Sequence, residues 1–363
     1  MTSIEQVATP ALLLDLDILE DNLARMAERA AALGVHLRPH AKTHKCLQIA
    51  DLQRQNGAVG ITVSTLREAE VFANHGFDDI TWAFPIILSR VDEAIALTSR
   101  IKLGLVIDSS SALEALAVRH HGSRALRVWV KVDCGYHRAG VAPDSEDLVL
   151  LASTIAATPG LQFAGILTHS GHSYYAADRD AMRAVAEQER RVMVDAAARI
   201  QAAGIDVPDV SVGSTPAMSV VESLDGVTEA RPGNYAFYDH TQCVLGSCKT
   251  SDVAVSVLTS VVSRMPDHSV VDAGALAMSL NPGPEQEASM GPIYQEEQPG
   301  HLHPDLQLTS VSQEHGIVNR SIAIGARLRI MPNHSCLTVA CFDEYCVVRG
   351  DTVVDRWKIW RGR

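Results

Sequence analysis

The sequence lacks the features that mark secreted and membrane-spanning proteins. Its seven cysteines are an odd number at irregular spacings with no CxxC pair, which is typical of reduced thiols and not of a disulfide framework. No apolar run approaches the roughly 20 residues that a transmembrane helix needs. The start, MTSIEQVATPALLLDLD, has neither the basic residues nor the apolar centre of a secretory signal. We therefore expect a cytoplasmic protein that does not bind membranes.

Basic residues are neither in excess nor clustered. Lys and Arg number 31 against 43 Asp and Glu, giving a net charge of −12, so nucleic acid is not an expected partner. The hydrophobic content of 47% with 20% charged residues is ordinary for a globular protein, which excludes disorder as the main state. The 363 residues suffice for a barrel-sized domain and a smaller second one.

From about residue 11 to residue 238, short apolar runs alternate with amphipathic stretches. Apolar residues recur at i, i+3 and i+4 most clearly over 18–34 and 180–204, and both stretches end on a glycine. The strand candidates are 11–15, 35–39, 60–64, 80–84, 102–106, 127–133, 161–169 and 210–213. About eight strands, each followed by a helix, predict a TIM-type (β/α)8 barrel. A doubly wound open sheet is the alternative, but no GxGxxG motif follows the first strand.

After about residue 245 the pattern changes to short strand-like runs without long helices. The runs are SDVAVSVLTSVVSR (251–264), HSVVDAG (268–274), ARLRIMP (326–332), LTVACFDEYCVVR (337–349) and DTVVDRWKIW (351–360). The stretch from Ala275 to His303 is rich in Pro, Gly and Glu and predicts a long irregular loop. We therefore predict an α/β protein with a barrel domain over residues 1–245 and an all-β domain over residues 246–363.

The segment RPHAKTHK (38–45) leaves the second strand candidate, and residues at the carboxyl ends of barrel strands face the active site. Lys42 is flanked there by His40, His44 and Lys45. A nearby positive charge disfavours protonation of a lysine amine, which is what a Schiff-base lysine needs. A solvated basic patch explains the segment equally well when it is taken alone.

Two further strand ends carry candidate functional residues. VDCGYHRAGV (132–141) contains Arg138, which could donate to a phenolate-like oxygen or a carboxylate. ILTHSGHSYYA (166–176) places His169 at the end of a buried strand, before an unusual run of polar and aromatic residues. A surface arginine and a core histidine are the alternatives for these two residues.

VGSTPA (212–217) and ARPGNYAFYDH (230–240) are small-residue turns at the last two strand ends. Gly213, Ser214 and Thr215 precede a helical stretch, where backbone N–H groups, a hydroxyl and the helix dipole suit a phosphate. Gly233 and Asn234 would offer further amides. The two turns together match the usual phosphate site of a TIM barrel, although each alone could be a simple cap.

RIMPNHSCLTVACFDEY (329–345) contains the pair His334 and Cys336. In a predicted extended segment these alternate residues point to one face, and imidazole with thiolate suits zinc. Two ligands alone are weak evidence for a metal. A site with so few protein ligands would leave coordination positions open for catalysis.

Together, TPALLLDLD (9–17), RPHAKTHK and PNHSC (332–336) resemble the D-serine dehydratase and D-threonine aldolase family over nearly the whole chain. These are pyridoxal-phosphate enzymes of the alanine-racemase fold. The resemblance implies that Lys42 binds pyridoxal 5′-phosphate covalently, that Arg138 approaches its phenolic oxygen and that His169 lies against its pyridine ring. The phosphate would be held by Gly213, Ser214, Thr215, Gly233 and Asn234. Arg231, by its RPG context, aligns with the residue that faces the pyridine nitrogen in the racemases.

The same resemblance implies a divalent metal at His334 and Cys336, with zinc expected and manganese or magnesium as alternatives. The order His-Ser-Cys is similar to the dehydratase branch, whereas aldolase-like members tend to show His-Cys-Asp. The implied reaction eliminates water from a small β-hydroxy D-amino acid, of the D-serine or D-threo-3-hydroxyaspartate type, to a keto acid and ammonia. The Lys42 amine would act as base at Cα and the metal as Lewis acid on the β-hydroxyl. The family also implies a homodimer.

Three other functions stay open at this point. A D-threonine aldolase would use the same site for retro-aldol cleavage to glycine and an aldehyde. An amino-acid racemase is disfavoured because the racemases lack the metal pair. A non-catalytic pyridoxal-phosphate carrier of related barrel fold is disfavoured because such proteins end after the barrel.

Overall fold

The computed structural model describes residues 2–122, 124–283, 289–295 and 300–362. Contacts divide the chain into two compact units that interleave along the sequence. The barrel unit contains Met26–Lys42 and Ala50–Gly233, and the β unit contains the chain up to Arg25, Thr43–Ile49 and Asn234–Arg361. The predicted barrel domain of residues 1–245 therefore includes three segments that contacts assign to the β unit. These segments are residues 1–25, 43–49 and 234–245.

The strands are β1 (Thr2–Ser3), β2 (Ala11–Asp15), β3 (His36–Leu37), β4 (Ile61–Val63), β5 (Asp79–Pro85), β6 (Lys102–Ile107), β7 (Leu126–Lys131), β8 (Leu161–Leu167), β9 (Val210–Val212), β10 (Glu229–Ala230), β11 (Val255–Arg264), β12 (Ser269–Val271), β13 (Gly291–Tyr294), β14 (Leu302–Val311), β15 (Gly316–Val318), β16 (Arg327–Ile330), β17 (Glu344–Arg349) and β18 (Thr352–Lys358). The helices are α1 (Leu16–Ala32), α2 (Leu47–Gln55), α3 (Leu66–Asn74), α4 (Val91–Thr98), α5 (Ser110–Arg119), α6 (Glu146–Ala157), α7 (Arg179–Ala202), α8 (Thr215–Val220), α9 (His240–Val244), α10 (Ala275–Met278) and α11 (Ser335–Val339). None of the helices in these described ranges is long and apolar enough to cross a membrane.

The barrel unit contains a parallel eight-stranded sheet in the order β3-β10-β9-β8-β7-β6-β5-β4. Its two ends are joined after β3, where Thr62 of β4 donates its N–H to Pro39 O and accepts from Ala41 N, both at 2.8 Å. The strands are nearly continuous apolar runs because both of their faces are buried. Leu105, Ile107 and Trp129, for example, have no exposed surface. The predicted TIM-type barrel is confirmed.

Membership of the barrel differs from the prediction at two strands. Ala11–Asp15 is a strand, but it pairs antiparallel with β11 and parallel with β17 in the β unit. The missing barrel strand is β10, which pairs with both β3 and β9. Periodicity indicates that a segment is buried and not which sheet it joins, and a two-residue strand is too short to give a periodic signal.

The β unit is built on a second sheet, in which the order β11-β12-β15-β14-β13-β16 returns to β11 and closes an antiparallel barrel. β2, β17, β18 and β1 extend this sheet outward from β11. Val257, Val271, Leu308 and Ile330 are fully buried within it. The predicted C-terminal β architecture is confirmed, with the two short helices α10 and α11 inserted in it.

Two predictions for the β unit are wrong. Within the stretch from Ala275 to His303, predicted to be irregular, the structure has α10, β13 and the start of β14, while residues 284–288 and 296–299 lie outside the described residues. The run LTVACFDEYCVVR is not one strand, because Ser335–Val339 is helical and β17 begins only at Glu344. Thr338 and Val339 favour strands locally, but the Thr338 hydroxyl donates to Met278 O at 2.9 Å, and such tertiary contacts override propensity.

Side-chain caps fix where several helices begin. Thr65, Asp178, Ser214 and Asp239 are the N-caps of α3, α7, α8 and α9, and each side chain accepts a hydrogen bond from a backbone N–H of the first turn. The predicted helices over 18–34 and 180–204 correspond to α1 and α7. The caps at Ser214 and Asp239 fix where α8 and α9 begin in the segments that follow β9 and β10.

Gly165 in β8 should be far less tolerant of substitution than Gly204. Both have positive φ, at +127° and +81°. A Cβ on Gly165 would overlap the carbonyl oxygen of Asp209, whereas no heavy atom would lie within 4 Å of a Cβ on Gly204. We expect Gly204→Ala to cost about 1 kcal/mol from backbone strain, and Gly165→Ala to cost several times as much. Thermal unfolding followed by circular dichroism measures both, and equal losses would contradict the expectation.

Candidate active site

Lys42 lies at the carboxyl end of the first barrel strand. It directly follows Ala41, the residue that bonds to Thr62 of β4, and its own N–H donates to His40 Nδ1 at 3.4 Å. Its side chain is half-buried. The predicted position of this lysine, at the end of the barrel where strands place catalytic groups, is therefore what the structure shows.

His169 follows β8 and is held in one orientation. Its Nδ1 lies 2.8 Å from the carbonyl oxygen of Gly213, so Nδ1 carries the proton and donates it. Burial lowers the pKa of His169 well below its usual range, and the positive charges of Lys42, Arg138 and Lys131 lower it further. The imidazole is therefore neutral, and three cationic side chains of the barrel unit lie close enough to act on it.

Tyr136, which the sequence analysis missed, connects two of the predicted residues. The guanidinium carbon of Arg138 lies 4.9 Å from the centre of its ring, and the His169 ring packs edge-on at 6.3 Å. The His172 ring also stacks on Tyr136, with 6.0 Å between the ring centres. A Cβ on Gly171 would overlap the Tyr136 ring, so only glycine permits this approach. The place of Tyr136 two residues before Arg138 in VDCGYHRAGV was the available signal.

Lys131, the last residue of β7, is a second residue that sequence reasoning missed. It is only 6% exposed, and burial together with the charges of Arg231 and Arg138 lowers its pKa to about 8. A lysine inside the otherwise apolar run RVWVKVD was the signal that could have drawn attention to it. Lysine is rarely buried without an anionic partner, so this environment suits a bound anion.

Arg231 is buried at the end of β10. Its guanidinium donates to the Ser211 hydroxyl and to the Thr168 carbonyl, which lie at the ends of β9 and β8. Burial lowers its pKa, while the carboxylates of Glu229 and Glu189 oppose that change. Arg231 thus links three strand ends and stays charged, because arginine keeps its proton in proteins.

The turn after β9 is tightly built. Gly213 has φ +141°, and a Cβ there would lie 2.7 Å from the backbone N of Arg231. Its N–H donates to Glu189 Oε1 at 3.2 Å, so this amide already has an acceptor. The Ser214 hydroxyl accepts from Ala217 N at 3.1 Å as the cap of α8. Gly213, Ser214 and Thr215 are thus brought to one buried turn, and their role toward a phosphate stays a prediction.

In the β unit, His334 and Cys336 do not alternate along a strand as predicted. His334 is the N-cap of α11 and Cys336 lies in its first turn. Residues two apart in a helix do not share a face, so the argument from strand geometry fails. What relates the two side chains is a buried polar group: His334 Nδ1 lies 3.9 Å from Asp239 Oδ2, and Cys336 Sγ lies 3.9 Å from Asn234 Nδ2.

The predicted phosphate residue Asn234 belongs to this polar group through its side chain. Its amide donates to Asp239 Oδ2 at 2.7 Å and to Ser335 Oγ at 2.9 Å. The amide oxygen of Asn234 is buried without a hydrogen-bond partner, which marks a place for a further group. Only its backbone N–H is therefore left for the predicted phosphate contact.

The residues present fit the two groups that the sequence implies. The barrel unit gathers a lysine amine, a neutral imidazole and buried cations, which suit an aromatic, anionic cofactor. The turn in the β unit offers imidazole and thiol donors, which suit a divalent metal. Within the described ranges, His, Cys, Asp and Glu form no group of three or more that could hold a metal ion. A metal there would have two protein ligands and open positions.

Comparisons with known proteins cover most of the chain. The alanine racemase N-terminal domain matches residues 14–241, and a serine dehydratase domain matches residues 254–348. D-threo-3-hydroxyaspartate dehydratase from Delftia sp. (strain HT23) is 41% identical over 98% of this chain and 97% of its own. The chain belongs to the D-serine dehydratase family.

Other relatives in this family include both reaction types. A D-serine dehydratase from Dictyostelium discoideum is 36% identical over 97% of this chain and 96% of its own, and a D-threonine aldolase from Arthrobacter sp. is 31% identical over 98% and 92%. A solved cysteine-to-alanine variant of D-threo-3-hydroxyaspartate dehydratase, in the metal-free form, is 39% identical over all of both chains with a TM-score of 0.94. The resemblance and the class of pyridoxal-phosphate-dependent lyase are confirmed.

Lys131 should make the stability of the cofactor-free protein depend on pH. Its pKa is about 8 when folded and near 10.5 when unfolded, so the unfolded chain binds more protons between these values, and raising the pH through that window stabilises the fold. We expect Lys131→Met to stabilise the protein at pH 7 by an amount on the order of 3 kcal/mol, and the gain to fall below about 1 kcal/mol near pH 10.

Urea unfolding at pH 7 and pH 10 measures the effect. Lys102, the exposed first residue of β6, provides the control through Lys102→Met. A difference between wild type and Lys131→Met that is the same at both pH values would show that lost packing, and not buried charge, explains it.

Proposed function

We propose that this protein is a pyridoxal-phosphate- and metal-dependent dehydratase that converts a β-hydroxy D-amino acid to a keto acid and ammonia. The observation that carries the proposal is the barrel-end cluster of Lys42, Arg138 and Lys131 around a neutral His169. The identity of 41% to D-threo-3-hydroxyaspartate dehydratase over the whole chain supports this substrate type, with D-serine as the second candidate.

Pyridoxal phosphate, when bound, withdraws electrons from Cα of an amino acid, and a divalent metal polarises a hydroxyl group as a Lewis acid. Lys42 would hold the cofactor covalently, and its amine would take the proton from Cα once the substrate has replaced it. Arg138 would donate to the phenolic oxygen. Each of these roles uses a group at the carboxyl end of a barrel strand.

His169 and Arg231 would orient the cofactor without exchanging protons with it. The Nδ1–H of His169 is committed to Gly213 O, which fixes the plane of the ring. Arg231 is held by the Ser211 hydroxyl and the Thr168 carbonyl and keeps its charge. A guanidinium at the pyridine nitrogen would donate a hydrogen bond but would not transfer the proton. The phosphate would lie at the turns of Ser214–Thr215 and Gly233–Asn234.

His334 and Cys336 would hold the metal, with the remaining positions open to water and the substrate hydroxyl. A thiolate ligand favours zinc over the harder manganese and magnesium ions. A D-threonine aldolase would use the same residues, and the likeness to the aldolase from Arthrobacter sp. supports this alternative. The order His-Ser-Cys at 334–336, where aldolase-like members tend to have His-Cys-Asp, favours elimination of water over aldol cleavage. The homodimer and the cytoplasmic location stay predictions.

Lys42 should carry the cofactor. Borohydride reduction of the purified, cofactor-loaded protein should leave the reduced cofactor on the peptide that contains Lys42, as found by mass spectrometry. Lys42→Ala should remove this label completely, whereas Lys45→Ala, three residues away, should retain it. Reduced cofactor on Lys131, or on any lysine other than Lys42, would contradict the assignment of Lys42 as the cofactor-binding lysine.

Chelation of the metal should abolish dehydration without unfolding the protein. With D-threo-3-hydroxyaspartate or D-serine, the loaded enzyme should form keto acid and ammonia, and treatment with a chelator should reduce turnover by at least about 100-fold. Added zinc should restore it. Cys336→Ala should lose activity in the same way, while Cys341→Ala, a half-exposed cysteine outside the site, should not.

The products decide between the reactions. Glycine and an aldehyde as the main products from D-threonine would establish the aldolase instead, and full activity after chelation would remove the metal from the proposal.

A further inference from the structure

The carboxylate of Asp239 occupies the centre of the polar group beside α11. Its side chain has no exposed surface. Oδ2 accepts from Asn234 Nδ2 at 2.7 Å, from Ser335 N at 3.0 Å and from Ser335 Oγ at 3.3 Å. Oδ1 accepts from Gln242 N at 3.0 Å and caps α9. One carboxylate thus holds the residue that lies between the two candidate metal ligands.

Each candidate ligand is also near a group that Asp239 controls. The Nδ1 atom of His334, whose side chain is 27% exposed, lies 3.9 Å from Asp239 Oδ2. Cys336 Sγ lies 3.9 Å from Asn234 Nδ2, the same amide that donates to Asp239, and it donates to Thr43 Oγ1 at 3.3 Å. Imidazole and thiol therefore each lie within 4 Å of the Asp239 carboxylate or of the amide that donates to it.

Charge gives Asp239 a second function in the presence of a metal. A divalent ion bound by a neutral imidazole and one thiolate has a net charge of about +1, and an ionised carboxylate nearby offsets that charge. A carboxylate that interacts with the second ring nitrogen of a metal-ligating histidine also fixes the ring and raises its basicity. Because Nδ1 of His334 lies on the side of Asp239, Nε2 would be the nitrogen left for a metal.

We propose that Asp239 is the positioning residue of the metal site, which sets the 334–336 turn for metal binding and offsets the charge of the bound ion. This inference rests on the proposed function, since it assumes that His334 and Cys336 bind the metal. It assigns to Asp239 no contact with substrate or cofactor. Its effect would be on metal affinity first and on turnover only through the metal.

A merely structural role for Asp239 predicts a different result. As the N-cap of α9 it stabilises a helix, and its loss would lower stability without a specific effect on metal binding. Asp178 offers the matched control, because it caps α7 in the same way, accepting from Ala181 N at 2.8 Å. The two aspartates can therefore be compared as caps with and without a role at the metal.

The test measures zinc affinity of the cofactor-loaded protein by competition with a chromophoric chelator, together with thermal stability of the metal-free form. Asp239→Asn should raise the Kd for zinc by about 10- to 100-fold, whereas Asp178→Asn should leave it unchanged. Borohydride labelling of Lys42 should be equal in all three proteins. If Asp239→Asn does not fold, Ser335→Ala, which removes the hydroxyl that donates to Asp239 and accepts from Asn234 but keeps the Ser335 N–H bond to Asp239, should raise the Kd by a few fold.

The outcomes separate this inference from the proposed function. Zinc binding by the wild type with a stoichiometry of one, and equal binding by Asp239→Asn or by the folded Ser335→Ala variant, would overturn the role of Asp239 and leave the dehydratase intact. A wild type that binds no zinc, or whose zinc binding survives Cys336→Ala, would remove the metal site itself and this inference with it.

Discussion

Positive charge buried at the carboxyl ends of the barrel strands is the constraint on which the site depends. Lys131 and Arg231 are each 6% exposed, and an apolar interior does not accept such charges without compensation. The protein supplies part of it through Glu229 and Glu189, whose carboxylates act on Arg231. At His169, burial and then the charges of Lys42, Arg138 and Lys131 lower the pKa of the imidazole, and the same charges make the end of the barrel a place for an anion.

The same barrel uses charge differently elsewhere. Arg38 donates to Glu229 Oε2 at 2.5 Å and to Asp79 Oδ1 at 2.7 Å, and these carboxylates belong to β10, which pairs with β3, and to β5. This network is paired and hydrogen-bonded, so it links strands and leaves no charge for a ligand. Lys131 differs because the charges that act on it most strongly, those of Arg231 and Arg138, are of its own sign. The carboxylates bonded to Arg38 thus support the fold, whereas the like charges around Lys131 mark the candidate site.

The two units contribute different chemistry. The barrel unit provides amine, imidazole and guanidinium groups, all on turns after parallel strands. The β unit provides the imidazole and thiol of His334 and Cys336, held by a carboxylate in a turn that begins a short helix. In the proposed reaction, the groups of the barrel unit would hold an electron-withdrawing cofactor and those of the β unit a Lewis acid.

The sequence by itself determined the alternation of strands and helices, the change to β structure near residue 245, and the candidate residues Lys42, Arg138, His169, His334 and Cys336. These features depend on local periodicity and on motifs of a few residues, which are visible without a fold. The sequence also indicated small-residue turns after the last strands, where Gly213 indeed has a backbone that other residues rarely adopt.

Only the tertiary structure decided that β2 joins the β unit, that β10 completes the barrel, and that Ser335–Val339 is helical. It alone revealed that the charges of Arg231 and Arg138 act on the buried Lys131. It alone also revealed that Asp239 accepts hydrogen bonds from both Asn234 and Ser335. The physical reason is the same in each case. Burial and hydrogen bonding between residues far apart in the chain depend on which segments meet. A local pattern reports that a side chain is buried but not what it is buried against.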